Sequence, residues 1–229
     1  MRIHVFEHDD TETLGSIEAW AALRGHSIAR TRWYEGGTAP DLGTWDLLVV
    51  MGGPMNIYED AAYPWLLKEK ACLDQAIAQG KWMLGVCLGA QLLADRLGGP
   101  VTKGAHTEIG WHAVRRLPEA DADPLFAALP QEFEAMHWHG DTFAIPPGAV
   151  HGYASRACRN QAFRKGNVVG LQCHLEFTRE ALAGLVQAQE RFEGAFVQTP
   201  AEFLGEGRDY QALQERMFAF LDALAGQVS

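Results

Sequence analysis

The sequence predicts an α/β protein built on an open, mainly parallel, twisted sheet with helices on both faces. Two observations support this fold class. Strand patterns alternate with helix patterns through residues 1–99, which is typical of parallel sheets covered by helices. The run LLVVM at residues 47–51 is apolar on both faces, as a central strand of such a sheet must be.

The first half of the chain supplies the parallel part of this sheet. Strands are expected at residues 3–6, 27–33, 45–51 and 81–86. Helices are expected at residues 14–23, 64–80 and 88–97, where apolar side chains recur at helical spacing and a glycine ends or follows each segment. Pro64 suits the start of the second helix because an amide hydrogen there would have no helical partner.

After residue 99 the strand patterns follow one another with little helix between them. Strands are expected at residues 101–102, 110–117, 133–137, 150–155 and 168–174, and one short helix at 124–129. This order favours extra, partly antiparallel strands on the same sheet. A basic stretch at residues 156–165 is assigned to a solvated loop.

Helix patterns return near the end of the chain, at residues 179–192 and 210–225. No repeat or clear linker separates them from the rest. We therefore expect one domain over residues 1–229, with residues 177–229 as a C-terminal helical extension.

The composition describes a globular protein with an acidic surface. The chain has 229 residues, of which 48% are hydrophobic, and a formal net charge of −10. An acidic surface disfavours non-specific binding to nucleic acid and to anionic membranes. The apolar start is too short for a secretory signal, and no apolar run approaches the roughly 18 residues that cross a bilayer. The four cysteines show neither metal-ligand nor disulfide spacing, so we expect free thiols in the cytoplasm.

The segment GVCLG at residues 85–89 lies where a strand should turn sharply into a helix. Glycines flank a catalytic side chain at such a turn because the crowded backbone leaves no space for a Cβ. Cys87 would then stand at the end of the strand, where the helix dipole would lower the pKa of its thiol. The amide of Leu88, first in the helix, would be free to donate to an oxyanion. The alternative is a buried structural cysteine.

A cysteine nucleophile needs a histidine base and a group that orients the base. The segment GLQCHLE at residues 170–176 offers His174 and Glu176, two residues apart, so that both side chains would point to one face of a strand. The carboxylate would fix the imidazole tautomer and stabilise the imidazolium ion. A strand end with two exposed polar residues is the alternative, because His-x-Glu is common by chance.

Two further residues are expected close to Cys87. Gly53 follows the central strand, and ligands of open parallel sheets bind beyond the carboxyl ends of the strands, so its amide could be a second oxyanion donor. An ordinary turn is the alternative there. Gln91 lies one helical turn after Cys87 and could contact a polar substrate group.

Two other polar stretches are given no catalytic role. His137 and His139 occupy alternate positions of a strand, but the spacing places no third ligand, and no metal site is predicted. Residues 8–10, which follow the first strand, are assigned to a solvated loop, and the alternative is that they rim the pocket.

Taken together, these segments resemble the class I (triad) glutamine amidotransferase family, in particular stand-alone members similar to the glutaminase domain of GMP synthetase. The matching segments, in the family's order, are MGGP at residues 51–54, GVCLGAQ at 85–91, HGD at 139–141 and GLQCHLE at 170–176. The resemblance implies a flavodoxin-like three-layer fold and a reaction without metal or organic cofactor. The chain departs from the family at Cys173 and Leu175, where an aromatic residue and a proline are usual; both side chains are apolar and expected to face away from the site.

The resemblance also implies a role for each matching residue. Cys87, His174 and Glu176 would form the triad, and the amides of Gly53 and Leu88 the oxyanion hole. Gln91 would contact the glutamine. A turn at residues 138–141 would be part of the pocket for the α-amino and carboxylate groups, with Trp138, His139, Gly140 and Asp141 as substrate contacts. Glutamine would be hydrolysed to glutamate and ammonia through a γ-glutamyl thioester on Cys87.

Three functions are compatible with these residues. The first is a glutaminase that passes ammonia to a separate synthetase subunit. The second is a γ-glutamyl peptidase or hydrolase acting on γ-glutamyl peptides or conjugates, which the lack of room for a synthetase domain makes credible. The third, a non-catalytic binding subunit, is disfavoured by the intact Cys, His and Glu. Each would act on a small molecule, with neither nucleic acid nor membrane as partner.

Overall fold

The computed structural model describes residues 1–188 and 193–228, in which strands and helices alternate through the first half. The strands are β1 (Arg2–Glu7), β2 (Ser27–Arg32), β3 (Leu47–Val50), β4 (Trp82–Val86), β5 (Val101–Arg116), β6 (Glu132–Phe143), β7 (Val150–His151), β8 (Tyr153–Ser155), β9 (Ala162–Lys165), β10 (Val168–Leu171) and β11 (Phe196–Val197). The helices are α1 (Ser16–Leu23), α2 (Trp65–Ala78), α3 (Leu88–Arg96), α4 (Pro124–Ala127), α5 (Arg179–Ala188), α6 (Pro200–Phe203) and α7 (Tyr210–Ala225).

The main sheet has seven strands in the order β2-β1-β3-β4-β10-β9-β7. The first five of these run parallel, and β9 and β7 continue the sheet in antiparallel pairing. The predicted open, mainly parallel sheet with antiparallel additions is therefore confirmed. The carboxyl ends of β1, β3, β4 and β10 meet along one edge, because neighbouring parallel strands end on the same side.

Helices cover both faces of this sheet, as expected. Successive residues of the central strand β3 point to opposite faces. Val49 belongs to one core together with Trp20 of α1 and Leu221 of α7. Leu48 belongs to a second core together with Leu73 of α2. All are fully buried, and each such side chain contributes about 1.5–3 kcal/mol to the hydrophobic stabilisation of the three layers.

The later strands do not all join the main sheet, so that part of the prediction is wrong. Strands β5, β6, β8 and β11 form a second sheet, in which β11 pairs parallel with β5 and the other pairs are antiparallel. The predicted strand at residues 150–155 is divided at Gly152 between the two sheets. A Cβ on Gly152 would lie 2.7 Å from the Phe126 ring, so only glycine fits this crossing.

Two predicted segments, residues 101–102 and 110–117, are parts of the single long strand β5. Its pairing with β6 shifts between Lys103 and Glu108, and its exposed first half lacks an apolar pattern. Strand β6 likewise extends to Phe143, six residues beyond the predicted end at residue 137. An irregular pairing of this kind hides a strand from a search for alternating apolar residues.

The basic stretch at residues 156–165 is not entirely a loop, because its last four residues form β9. The side chain of Phe163 in β9 is fully buried. The Arg164 guanidinium donates hydrogen bonds to Asp123 at 3.3 Å and to Gln227 at 2.6 Å. Both partners lie far from Arg164 in sequence. The basic composition of the stretch therefore suggested that it is exposed to solvent.

The C-terminal region packs back onto the sheet. Helix α7 has its predicted bounds, and its Asp222 accepts hydrogen bonds from Trp20 and Arg24 of the α1 region at 2.8 and 2.7 Å. The region is not wholly helical, because it also contains β11. The predicted helix at 179–192 is α5 as far as Ala188, and residues 189–192 lie outside the described part. Within residues 1–188 and 193–228, no helix combines the length and apolar character needed to cross a membrane.

Candidate active site

Cys87 occupies a strained turn between β4 and α3. Its φ of 51° is positive, which among the described residues is found at no other non-glycine position. Such a conformation costs on the order of 1–3 kcal/mol and persists only where the surrounding structure holds it. Here the Cys87 amide donates to Leu171 O at 2.8 Å, fixing the turn to β10. The strained strand-to-helix turn expected from the sequence is present.

The flanking glycines are required by close backbone packing. A Cβ on Gly85 would lie 2.5 Å from the carbonyl carbon of Gly89, and one on Gly89 would lie 2.0 Å from Val50 O. No side chain fits at these distances without moving the backbone. Helix α3 therefore starts directly against β3 and β4, with the sulfur of Cys87 at its first turn.

His174 and Glu176 come together as predicted, although by a different local structure. Nδ1 of His174 donates to Glu176 Oε1 at 2.6 Å, and both side chains are about 1% exposed. They do not lie on a strand, because β10 ends at Leu171 and residue 174 makes an isolated bridge to Met136. The imidazole also stacks on the Phe177 ring, with 4.2 Å between centroids. Backbone, carboxylate and ring together fix its orientation.

The imidazole is also close to the thiol. His174 and Cys87 interact through their side chains, and each alters the other's protonation. Nε2 of His174, the nitrogen not bound to Glu176, is buried and has no partner with hydrogen-bond geometry among the described residues. The sulfur itself lies 3.8 Å from Trp138 O and 3.7 Å from Nε2 of Gln172. One ring nitrogen is thus left available to exchange a proton with the thiol.

The pKa of the Cys87 thiol is raised, contrary to the prediction that the helix dipole would lower it. Burial disfavours the thiolate, and the neighbouring His174 offsets only part of that effect. Burial alone would lower the pKa of His174, but the Glu176 carboxylate and the thiol raise it well above its usual value. The Glu176 carboxylate thus makes the imidazole beside the thiol a stronger base.

Gly53 and Leu88, the predicted oxyanion donors, line the same pocket as Cys87. Leu88 is the first residue of α3, where an amide has no acceptor within the helix. Gly53 is confined on the other side, since a Cβ there would lie 2.7 Å from Met55 Sδ and 2.8 Å from Leu88 Cδ2. The structure brings both residues to the pocket that Cys87 lines, and their role as donors stays a prediction.

The predicted substrate contacts line the same pocket, which has a volume of about 230 Å³. They are Gln91, Trp138, His139, Gly140 and Asp141. Gln91 is buried and donates through Nε2 to Asp141 O and Gln172 Oε1, both at 3.2 Å. The prediction of a turn at residues 138–141 is wrong, because this segment belongs to β6. Its pairing with the long β5 supplies the rigid wall of the pocket.

Glu12 is a pocket residue that the sequence did not indicate. Its side chain is buried, lines the pocket and lies against Gly52, where a Cβ would be 1.8 Å from Glu12 Oε2. Burial raises the pKa of this carboxyl to about 7, although the charge of His174 opposes the shift. No motif surrounds Glu12, and it follows two other acidic residues in a stretch that resembles solvated loop.

The loop after β1 is not solvated at its first residue, so the prediction for residues 8–10 is wrong at His8. The His8 side chain is fully buried and contacts Gly52 and Glu69. Glu69 lies in α2, and the sequence pattern of this helix does not distinguish Glu69 from charged residues on its exposed face. Only the packing of α2 on the sheet brings the two together.

Three residues next to the pocket could hold a metal ion. The ligand atoms of Glu108, His137 and His139 lie within 4.8 Å of one another. The third ligand, which spacing did not provide, comes from β5, where Glu108 faces His139 across the strand pair. In the structure, Gln161 Nε2 donates to Glu108 Oε2 at 2.7 Å, so the carboxylate already has a strong partner.

The protonation of this cluster fits a neutral imidazole beside a carboxylate. Burial alone would raise the pKa of Glu108, but its hydrogen bond with His139 and the nearby His137 hold it at about 2. Burial lowers the pKa of His137 to about 3. The cluster holds β5 against β6 behind the pocket wall.

Comparisons with known proteins agree with this arrangement. A family model described as glutamine amidotransferase class-I matches residues 20–186. The glutamine amidotransferase-like protein YfeJ of Salmonella typhimurium is 33% identical over 98% of this chain and 97% of its own length. The glutamine-hydrolysing GMP synthase of Thermomicrobium roseum is 32% identical over 61% of this chain, but the match spans only 25% of that protein.

Two solved structures share the fold over nearly the whole chain. A glutamine amidotransferase from Thermotoga maritima superimposes with a TM-score of 0.87 at 27% identity, covering 98% of this chain and 97% of the other. A glutamine amidotransferase from Methylobacillus flagellatus gives a TM-score of 0.89 at 28% identity, covering 98% and 94%. The chain belongs to the class-I glutamine amidotransferase family.

Proposed function

We propose that this chain is a glutaminase, which hydrolyses the side-chain amide of glutamine through a γ-glutamyl thioester on Cys87 and releases ammonia for a separate acceptor enzyme. The observation that supports it most is the geometry at the end of β4. A thiol on a strained turn lies beside an imidazole whose other nitrogen is held by a carboxylate at 2.6 Å. Nucleophile, base and orienting group in this order are the elements of cysteine-based amide hydrolysis.

In the first half of the reaction, His174 takes the thiol proton while the sulfur attacks the amide carbon. The C–S bond forms, and the carbonyl π electrons move to oxygen, where the amides of Gly53 and Leu88 would stabilise the negative charge. The imidazolium then donates its proton to the amide nitrogen as the C–N bond breaks. Ammonia leaves, and the glutamyl group remains on Cys87 as a thioester.

In the second half, water takes the place that ammonia leaves. His174 accepts a proton from this water as its oxygen attacks the thioester carbon, and the resulting tetrahedral oxyanion uses the same two amides. Collapse breaks the C–S bond, the proton returns to the sulfur, and glutamate departs. Glu176 keeps the imidazole in one tautomer throughout, which is why its hydrogen bond with Nδ1 matters for both halves.

A second substrate class has its own support from the pocket. The leaving group must depart next to His174, and the Glu12 carboxyl interacts with His174 and lines the pocket. A carboxylate there would favour a leaving amine that carries a positive charge elsewhere in the molecule. Within the γ-glutamyl peptides and conjugates, this argument favours conjugates of such amines, because the carboxylate of an amino-acid leaving group would be repelled; a γ-glutamyl hydrolase is therefore the alternative.

The test is a comparison of substrates with wild type and Cys87→Ala. We expect wild type to release ammonia from glutamine and to form a glutamyl adduct on the peptide that contains Cys87. Cys87→Ala should remain folded and show neither property. Faster turnover of γ-glutamyl conjugates of diamines, or of γ-glutamyl dipeptides, than of glutamine would favour the alternative. Full hydrolysis by Cys87→Ala would overturn both assignments.

The proposed transfer of ammonia needs its own experiment. The GMP synthase similarity covers a quarter of that protein, so a synthetase partner is inferred from the family and not from this chain alone. Co-purification from the source cells followed by a glutamine-dependent assay would show whether a partner raises glutaminase turnover. Turnover that no co-purified protein changes would favour a free-standing hydrolase.

A further inference from the structure

A histidine outside the triad is fully buried within reach of the pocket. His8 follows β1, and its side chain and that of its partner Glu69 are both 0% exposed. Removing a charged pair from water is costly, and hydrophobic residues of similar size often stabilise a core at least as well. A buried pair at this position therefore calls for an explanation beyond stability.

Both ring nitrogens of His8 are engaged. Nε2 lies 2.9 and 3.1 Å from the two carboxylate oxygens of Glu69. Nδ1 lies 2.9 Å from the carbonyl oxygen of Gly52. Both partners accept hydrogen bonds, so both nitrogens donate, and the ring is the imidazolium ion. Stacking on Trp65, with 5.6 Å between centroids and 18° between planes, further limits its rotation.

The hydrogen bond from His8 to the Gly52 carbonyl also orients the amide of Gly53. The Gly52 carbonyl and the Gly53 amide belong to the same planar peptide, which is trans. In a trans peptide the C=O and N–H bonds point in opposite directions. A donor that holds the Gly52 oxygen on the His8 side therefore directs the Gly53 N–H to the opposite side, and Gly53 lines the pocket with Cys87.

The need for such a support follows from the residues themselves. Two successive glycines restrict the backbone less than any other pair, so the peptide between them could rotate readily. Both glycines are nonetheless closely packed: a Cβ on Gly52 would meet Glu12 Oε2 at 1.8 Å, and one on Gly53 would meet His8 Cβ at 2.9 Å. The rigidity that the backbone lacks must come from outside the turn.

We propose that the His8–Glu69 pair is a positioning device for the oxyanion hole: it holds the Gly52–Gly53 peptide so that the Gly53 amide points at the developing oxyanion. This inference rests on the proposed function, because it needs Cys87 to form a tetrahedral intermediate. His8 touches neither substrate nor sulfur in this scheme. It acts through one peptide plane, and Glu69 keeps its ring charged and in place.

The experiment separates oxyanion stabilisation from thiol reactivity. The variants are His8→Gln and the milder Glu69→Gln, which keeps the size and an acceptor. His4→Gln is the matched control, since His4 is a buried histidine of β1, the strand that His8 follows, and its Nε2 is 2.8 Å from Thr31 Oγ1. Each variant is assayed for kcat and KM with glutamine, and its fold is checked by circular dichroism and thermal melting.

Two probes of Cys87 accompany the kinetics. The γ-aldehyde analogue of glutamine adds the Cys87 thiol across its C=O bond, forming a tetrahedral hemithioacetal whose oxygen occupies the oxyanion hole. Iodoacetamide alkylates the sulfur, with iodide as the leaving group, and forms no oxyanion. A merely structural role for His8 would affect both probes together, whereas loss of the oxyanion donor affects the aldehyde alone.

We expect kcat of His8→Gln to fall by about 10–100-fold with little change in KM, because one misdirected donor is milder than the ~10²–10³ loss on deleting one. Aldehyde affinity should fall in proportion, Glu69→Gln should show a smaller loss of the same pattern, and alkylation rates should equal those of wild type and His4→Gln. Unchanged aldehyde affinity in folded His8→Gln and Glu69→Gln, or a parallel loss of alkylation, would overturn the inference. If wild type itself neither binds the aldehyde nor hydrolyses glutamine, the proposed function fails instead, and His8 is not at issue.

Discussion

Two histidine–carboxylate pairs are buried at the carboxyl ends of strands of the main sheet, and they differ in what the second ring nitrogen does. In the pair of His174 with Glu176, Nδ1 is bound at 2.6 Å and Nε2 has no hydrogen-bond partner among the described residues. In the pair of His8 with Glu69, the ring is bound at 2.9 Å on the carboxylate side and at 2.9 Å on the side of Gly52.

The comparison shows how one chemical unit serves two purposes. A carboxylate raises the basicity of both rings, and the pKa of His8, like that of His174, is raised despite burial. A ring with one unbound nitrogen can take up and return a proton during a reaction. A ring bound at both nitrogens keeps its proton and instead holds its neighbours. Four predictions test this difference, in order of decreasing effect.

The largest effect is expected for His174→Gln. Without the ring that exchanges the thiol proton, kcat for glutamine should fall by on the order of 10⁴–10⁶, while the protein stays folded. Release of ammonia and glutamate measures this loss. His4→Gln, the same change at another buried histidine, should retain wild-type kcat. A His174→Gln enzyme with substantial activity would show that another group is the base.

Glu176→Gln should have the next largest effect. The amide can accept or donate at Nδ1, so the imidazole loses its fixed tautomer and its imidazolium ion loses a neighbouring charge; kcat should fall by about 10²–10⁴. Steady-state kinetics of Glu176→Gln beside Glu69→Gln gives the direct comparison of the two carboxylates. Equal losses in the two variants would contradict the division of roles drawn above.

Stability should distinguish buried from exposed pairs. Glu69→Ala leaves the fully buried His8 ring without its carboxylate, and the free energy of unfolding should fall by about 3–5 kcal/mol. Glu132→Ala removes the partner of Arg115, and both of those side chains are more than 50% exposed, so about 0–1 kcal/mol is expected from that ion pair. Urea denaturation of both variants measures the difference. Similar losses of unfolding free energy in the two variants would mean that the buried His8–Glu69 pair stabilises the fold no more than an exposed ion pair does.

The smallest effect concerns pH. Burial raises the pKa of Glu12 from 4.5 to about 7 in the folded protein, so between these values the folded state holds a proton that the unfolded state releases. Stability should therefore fall as pH rises from about 4.5 to about 7, by on the order of 3 kcal/mol from this group. Glu12→Gln should flatten the pH dependence of the unfolding free energy, whereas exposed Glu18→Gln should not. A slope unchanged by Glu12→Gln would refute the assignment.

Much of the candidate active site could be located from sequence because its residues lie in short local patterns. The turn at residues 85–89 has its strand, its helix and its glycines within a few positions of Cys87, so local rules determine it. His174 and Glu176 are two residues apart and meet in the structure even though the predicted strand ends earlier, at Leu171. Because only one residue separates His174 from Glu176, their side chains can meet whether or not the backbone between them is a strand.

The parts that could not be predicted depend on partners distant in sequence. Glu69 is 61 residues from His8, and Glu108 reaches His139 only through the pairing of β5 with β6. The thiol pKa was predicted with the wrong direction because no local pattern reports the burial that raises it.

The sequence by itself determined the parallel sheet, the turn that presents Cys87, and the histidine and carboxylate beside it, because hydrophobic periodicity and glycine placement act over a few residues. Tertiary structure alone decided the second sheet, the buried Glu12, and the pairing of His8 with Glu69 and Gly52. Those features arise when strands and helices far apart in the chain pack together, and the burial and hydrogen bonds that result exist only in the folded molecule.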